Sequence, residues 1–281
     1  MGINFLRLDR LATLYMSYPL YKFMLKNRKF HIPILMYHSI SSIPDKVFHP
    51  YFQTNTDPGT FFRQMEWLAN NNYRTIPLNM LEEEIKYPIH DRNKPFVITF
   101  DDGFKDFLEN AFPILNLFNF TATVFLPTGF IGQRWMGKDC LTWKEVRALQ
   151  SEGIEFGSHT VSHPKLHRLS HKLLHQEIEN SKKAIEHATG QKVVTFSYPY
   201  AFPQEDLAFI EVIGRILSDQ GYTLGVSTRI GRVSVLDDMR FLKRIPINMN
   251  DDSILLRAKM EGGYDWVYNV QYLSRILKKW V

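Results

Sequence analysis

A chain of 281 residues, 44% hydrophobic and 14% aromatic, can fill one barrel-sized core or two small ones, and a 22% charged content excludes a disordered chain. A net charge of +5 suits an anionic surface or substrate but is too modest to indicate a nucleic-acid partner, and none is expected. The single Cys140 excludes an intramolecular disulfide and a cysteine-based zinc site.

Residues 11–21 are short and mostly apolar, with Arg7 and Arg10 before them and Lys22, Lys26, Arg28 and Lys29 after. The stretch is too short to span a bilayer and has no small-residue cleavage site. Residues 1–30 therefore read as an interfacial amphipathic helix, or as a helix packed on the domain's own surface. Tyr272, Arg275, Lys278, Lys279 and Trp280 repeat the aromatic and basic mixture at the far end. The expectation is a cytoplasmic protein in peripheral contact with an anionic membrane; the alternative is the cell envelope, held by an uncleaved N-terminal anchor.

A first strand over 31–38 ends in His38, and a polar loop over 39–56 follows. Asp57-Pro58 supplies an N-cap and a proline at the first helical position, ahead of an apolar stripe at Phe61, Phe62, Met65, Trp67, Leu68 and Ala69. A short strand over 74–76 and a helix over 78–87 lead to Pro95-Phe96-Val97-Ile98-Thr99-Phe100-Asp101-Asp102-Gly103. A mostly apolar run bounded this way reads as a buried parallel strand. Its end presents Asp101 and Asp102 on opposite faces, at the edge where α/β folds keep their chemistry. The competing reading is an acidic cap on a helix that starts near Phe104.

That helix is expected over 104–118, with Pro113 as a kink or break. A strand over 121–126 follows, then a capping box at Thr142-Trp143-Lys144-Glu145 opening a helix to 150. Further strands are expected over 154–158, 193–198, 222–226 and 241–247. Helices are expected over 170–188, 204–218, 252–259 and 266–279, the first of them stopped by Gly190. With no repeat or linker, strands and helices alternating at this pace indicate one α/β domain over 31–281 with a parallel sheet.

His159 and His163 follow the 154–158 strand and reach a common point if the residues between them make one helical turn. Two imidazoles and one carboxylate hold a metal while leaving positions open for water and substrate. As an isolated pair they read more readily as ordinary polar residues of a strand-to-helix loop. His163, His167, His171 and His175 also recur every four residues. Leu173, Leu174 and Ile178 set the buried face of that helix, however, and no carboxylate-bearing strand end is implied beside it. Structural or surface roles are expected for His167, His171 and His175. Phe196-Ser197-Tyr198-Pro199-Tyr200-Ala201 alone would be a turn with aromatic packing.

Taken in order, Thr99-Phe100-Asp101-Asp102-Gly103, His159-Thr160-Val161-Ser162-His163-Pro164 and Ser197-Tyr198-Pro199-Tyr200 resemble the first three motifs of the polysaccharide deacetylase family, the NodB-like carbohydrate esterases. The resemblance covers about 31–247. It implies a distorted (β/α)7-type barrel and metal-dependent removal of acetyl from an N-acetylated polysaccharide or glycan precursor. Carried over residue by residue, it implies that Asp102, His159 and His163 bind one divalent ion, zinc by default, and that Asp101 is the general base. It also places a backbone N–H of Tyr200 at the oxyanion, with Pro199 and Tyr198 beside the substrate.

The chain departs from the family in two places. The third motif commonly begins with an arginine that orients the base, and here that place is Ser197. Tyr198 or a distant arginine must then take over; Arg244 is the candidate, and a surface cation closing a strand is its alternative. The usual late histidine is absent, because no histidine follows His187. Met36-Tyr37-His38 resembles the early Tyr-His of the branch that acts on poly-N-acetylglucosamine, so His38 is expected to be the acid. Hydrolysis of an O-acetyl ester, or a catalytically dead carbohydrate binder, are the rival functions. The intact Asp101, Asp102, His159 and His163 argue against the binder.

Overall fold

The computed structural model describes residues 7–24, 30–43, 53–88 and 93–279; Lys26, Arg28, Lys29 and Trp280 lie outside them. Eight strands form the main sheet: β1 (Ile34–Tyr37), β2 (Tyr73–Thr75), β3 (Lys94–Phe100), β4 (Thr123–Leu126), β5 (Glu155–Ser158), β6 (Thr195–Ser197), β7 (Leu224–Ile230) and β8 (Leu242–Pro246). All pair in parallel, in the order β1-β8-β7-β6-β5-β4-β3, and β3 pairs back to β1 to close a seven-stranded barrel. The remaining strand, β2, lies on the first half of β3, with Thr75 opposite Phe96. β4 takes the second half of the same edge, with Thr99 opposite Thr123. A register slip between Val226 and Ile230 of β7 adds to the distortion.

Period-two alternation explains both faces of the barrel wall. Phe96, Ile98 and Phe100 of β3 join the core under the helices, with Leu35, Val124, Phe156, Phe196 and Ile245. Val97 joins a second cluster inside the barrel, with Ile34, Phe125, Val226 and Leu242, and Ile76, Leu78, Leu81 and Ile85 pack against it. Above this apolar filling, the inward residues become polar: Thr99, Asp101, Ser197 and Arg244 bond to one another. Gly157 belongs to the same inner face, where a Cβ would sit 2.5 Å from the Phe125 ring and 2.6 Å from Thr195 Oγ1.

The helices stand close to their expected positions. The capping box at Thr142 and Glu145 opens Trp143–Ser151, and Gly190, at φ +71°, ends His171–Thr189. The helix expected over 104–118 differs. Phe104 instead bridges Cys140, and a wide π-type turn over Phe107–Ala111 precedes a short helix, Phe112–Leu117. Pro113 sits in that helix's first turn, where its missing N–H and bulky ring are tolerated; the widened turn upstream accommodates it.

A hairpin of Arg134–Trp135 and Lys138–Asp139 stands beside the barrel strands, in a stretch with no strand pattern in its sequence. It turns through Met136 and Gly137, both at positive φ, as a two-residue hairpin requires. Lys138 ties it to Ser39, just beyond β1.

A candidate metal and catalytic centre at the barrel mouth

β3 delivers both carboxylates. The Asp101 N–H continues the ladder to the Tyr37 carbonyl at 3.0 Å, so its side chain stays on the inward face. Asp102 and Gly103 then adopt φ of +74° and +57°, turning the chain sharply. At Gly103 a Cβ would meet Leu126 at 2.7 Å, so the turn needs glycine for space as well as conformation. Thr160, His163 and Tyr200, on the neighbouring loops, are also left-handed. Such non-glycine conformations cost on the order of 1 kcal/mol each and persist where surrounding bonds hold them.

Those bonds are present. Ser158 Oγ accepts the Thr160 N–H at 3.3 Å, and Thr160 Oγ1 accepts the His163 N–H at 3.0 Å. Glu177 accepts the N–H groups of Val161 and Ser162 at 2.9 and 2.8 Å. His159 and His163 therefore converge through an irregular loop rather than the helical turn expected from their spacing. The two left-handed residues supply the reversal that a helix would have provided.

The convergence is close. His159 Nε2 and His163 Nε2 lie 3.6 and 3.5 Å from Asp102 Oδ1, an oxygen that is buried and makes no hydrogen bond. His159 Nδ1 lies 2.8 Å from the Ser197 carbonyl, which can only accept, so the proton is on Nδ1 and the Nε2 lone pair faces Asp102. Burial, and then the charge on Asp101, push the Asp102 carboxyl up to about 8. Burial lowers His159, and burial with the neighbouring His159 lowers His163 to about 3. Neutral imidazoles facing a carboxylate that lacks a counter-charge suit a divalent cation. Among the described residues, these three form the one group of histidine, cysteine and acidic side chains close enough to share an ion, their donor atoms within 4.8 Å of one another. His175 instead pairs with Glu179 at 3.5 Å, and His167 packs on Phe209.

Asp101 is held separately. Arg244 from β8 meets its two oxygens at 2.8 and 2.7 Å. Arg244 is fully buried, and its other N–H groups reach the Ser227 carbonyl at 3.0 Å, Thr99 Oγ1 at 3.2 Å and Ser197 Oγ at 3.2 Å. All five donors of the guanidinium are thereby used. Ser197 Oγ also donates to Asp101 at 3.1 Å. Burial alone would raise the Asp101 carboxyl, but the Arg244 charge and hydrogen bonds hold it well below the usual carboxylate range. His38, the residue after β1, brings Nε2 to 3.9 Å from Asp101 Oδ2 and remains partly exposed.

The chain is similar to several known proteins. A family model described as polysaccharide deacetylase matches residues 89–222. YxkH of Bacillus subtilis, whose name places it among polysaccharide deacetylases, is 30% identical over 223 residues, covering 77% of this chain and 71% of its own length. The chain belongs to the polysaccharide deacetylase family. The family hydrolyses N-acetyl amides, and the closed seven-stranded barrel is its fold.

More distant members of the family extend the likeness. The poly-β-1,6-N-acetyl-D-glucosamine N-deacetylase of Staphylococcus aureus is 26% identical over 159 residues, or 52% of this chain; the match spans about half of that enzyme's length, 53%. The Streptococcus pyogenes deacetylase PplD, solved in complex with acetate, superposes with a TM-score of 0.71 at 26% identity, over 83% of this chain and 99% of that one. IcaB from Ammonifex degensii shares the fold, with a TM-score of 0.66 at 22% identity, over 83% and 98%.

The three residues expected beside the substrate in this deacetylase do not share one environment. Tyr198, grouped with the substrate contacts, is buried among Phe196, Phe202 and Phe241, with ring centroids at 5.2, 4.7 and 5.9 Å. Ser197 faces inward, so the next side chain must face the helix layer, and Tyr198 cannot reach the mouth. Pro199 is also buried. Tyr200 is half exposed, and its ring lies 4.6 Å from that of His163.

Trp135, which no sequence motif marked, packs against the same histidine at 5.0 Å and stacks on Phe130 at 4.5 Å. Beyond Tyr200 a cleft of about 980 Å³ opens among Lys165, Arg168, Glu205, Val270 and Arg275.

Proposed function

We propose that this deacetylase is a metal-dependent hydrolase that removes acetyl from an N-acetylated polysaccharide or glycan precursor, with Asp101 as base and His38 as acid. The observation that carries the reading is the buried, unbonded Asp102 Oδ1 facing two imidazole nitrogens, next to a second carboxylate locked by Arg244. Asp102, His159 and His163 would hold one divalent ion, zinc by default, which when bound supplies Lewis-acid activation of water and of the acetyl carbonyl.

The chain's own groups would do the rest. Arg244 keeps Asp101 ionised and fixes both of its oxygens, so the carboxylate is available to accept a proton from the attacking water. Tyr200, left-handed at φ +58°, would offer its backbone N–H to the oxyanion. His38, beside Asp101 and open to the mouth, would protonate the departing amine. The cleft beyond Tyr200 leaves room for neighbouring sugars. The named activity of the Staphylococcus aureus relative and the acetate bound to PplD support this choice of substrate and product.

The test is acetate release from a panel of N-acetylated oligosaccharides, with wild type and His38→Ala compared on an amide and on an activated acetyl ester. The variant should retain metal and fold and lose most amide hydrolysis. An ester with a good leaving group needs less protonation and should lose much less. Equal losses on both substrates would remove the acid role from His38. An enzyme that acts on esters alone would move the function to O-deacetylation.

A further inference from the structure

We infer that the N-terminal helical segment is a monotopic docking element that lies in the plane of an anionic lipid bilayer. It comprises Leu8–Ala12, a wide turn Thr13–Ser17 and Tyr18–Met24. One side is tied to the catalytic domain. Asp9 accepts from Tyr264 at 2.8 Å, Arg10 pairs with Asp252 at 2.8 Å, and Thr13 accepts from the Trp266 indole at 3.0 Å. Tyr18 bonds Glu261, and Tyr21 accepts from Arg232. The wide turn inserts one residue, so Tyr18 and Tyr21 fall on the same side as Asp9 and Thr13. Gly263 is seated so closely that a Cβ there would meet the Tyr18 side chain at 2.7 Å.

The opposite side carries Leu8, Leu11, Tyr15, Met16, Leu20 and Phe23, with Tyr15 76% and Phe23 86% exposed. A surface helix normally buries its apolar stripe; here the polar side is bonded to the domain and the apolar side faces out. The C-terminal helix, Val267–Lys279, begins at the Tyr264 and Trp266 contacts and adds exposed Leu273 and Leu277. No described helix is long and apolar enough to cross a membrane. The geometry is that of an element resting in the interface.

Charge identifies the occupant. Lys22 is paired with Glu261 at 3.8 Å, but the sequence after Met24 carries Lys26, Arg28 and Lys29, and that of the C-terminal helix ends in Lys278 and Lys279. Two copies meeting through this face would oppose like charges, whereas anionic headgroups would neutralise them.

Sedimentation of the full metal-loaded chain with vesicles tests this, independently of whether any glycan is turned over. Wild type should pellet with phosphatidylglycerol vesicles at low salt and remain with the supernatant over pure phosphatidylcholine. Leu20→Glu combined with Phe23→Glu should weaken the association by at least about tenfold, with circular dichroism and acetate release from a soluble oligosaccharide unchanged. Tyr15→Glu serves as the second variant should the pair fail to fold. Wild type that never pellets, or a folded variant that pellets as wild type does, overturns the inference. So does a concentration-dependent dimer that the same substitutions abolish without lipid, which would make the face a contact between copies.

Discussion

At the scale of single residues, Asp101 and Asp102 are neighbours in sequence with opposite electrostatic fates. One faces a guanidinium that uses all five of its donors, and the other faces two neutral imidazoles. The Arg244 pair is fully buried, so deleting one partner strands a charge, at a cost of about 3–5 kcal/mol. Arg244→Ala should therefore lower the urea midpoint severely and abolish turnover. Arg244→Lys should recover part of the stability and little of the rate, because three donors on one nitrogen cannot serve five bonds spread around a plane. Near-wild-type stability for Arg244→Ala would show that the pair is not a support of the fold. Arg244 was open to selection from the sequence because Ser197 left the base without an arginine. Ser227, which completes its shell with Thr99, carried no signal: it is an ordinary strand residue until the barrel closes.

Among the elements, the strand ends were legible and the loops between them were not. Apolar runs locate β3 to β6 because parallel barrel strands are buried on both faces, which leaves a continuous signal. The loop holding His159 and His163 depends on left-handed residues other than glycine, and such residues are not announced by composition. The Trp135 hairpin is short, and its Met-Gly turn is a weak hairpin signature. Close packing of the barrel interior yields its own prediction at β5. Gly157→Ala would press a methyl group against the Phe125 ring and Thr195, and should cost about 1–3 kcal/mol of unfolding free energy. His159 lies one residue past that strand, so metal affinity should fall along with stability. A fully stable, fully loaded Gly157→Ala protein would mean that the interior has slack these distances do not show.

For the whole molecule, the mouth couples folding to metal and pH. In the metal-free fold the Asp102 carboxyl is raised to about 8, whereas an unfolded aspartate titrates near about 4. Between those values the folded state holds more protons, so this group's contribution to stability declines as pH rises. A divalent ion replaces the proton, and its benefit should grow in the same direction. The gain in Tm from added zinc over a chelated control should increase from pH 5 to pH 8 and vanish when both His159 and His163 are alanine. A gain that ignores pH, or survives the double substitution, would locate the ion elsewhere.

By itself the sequence determined the order of the main-sheet strands, the family, and the candidacy of Asp101, Asp102, His159 and His163, because local burial patterns and short motifs record them within a few positions of chain. Only the tertiary structure decided which arginine meets Asp101, that Tyr198 turns into the helix layer, and that Trp135 flanks the metal candidates. It also decided which side of the N-terminal segment is buried: periodicity shows that a helix has two faces, but only long-range partners such as Glu261, Tyr264 and Trp266 determine which one is covered.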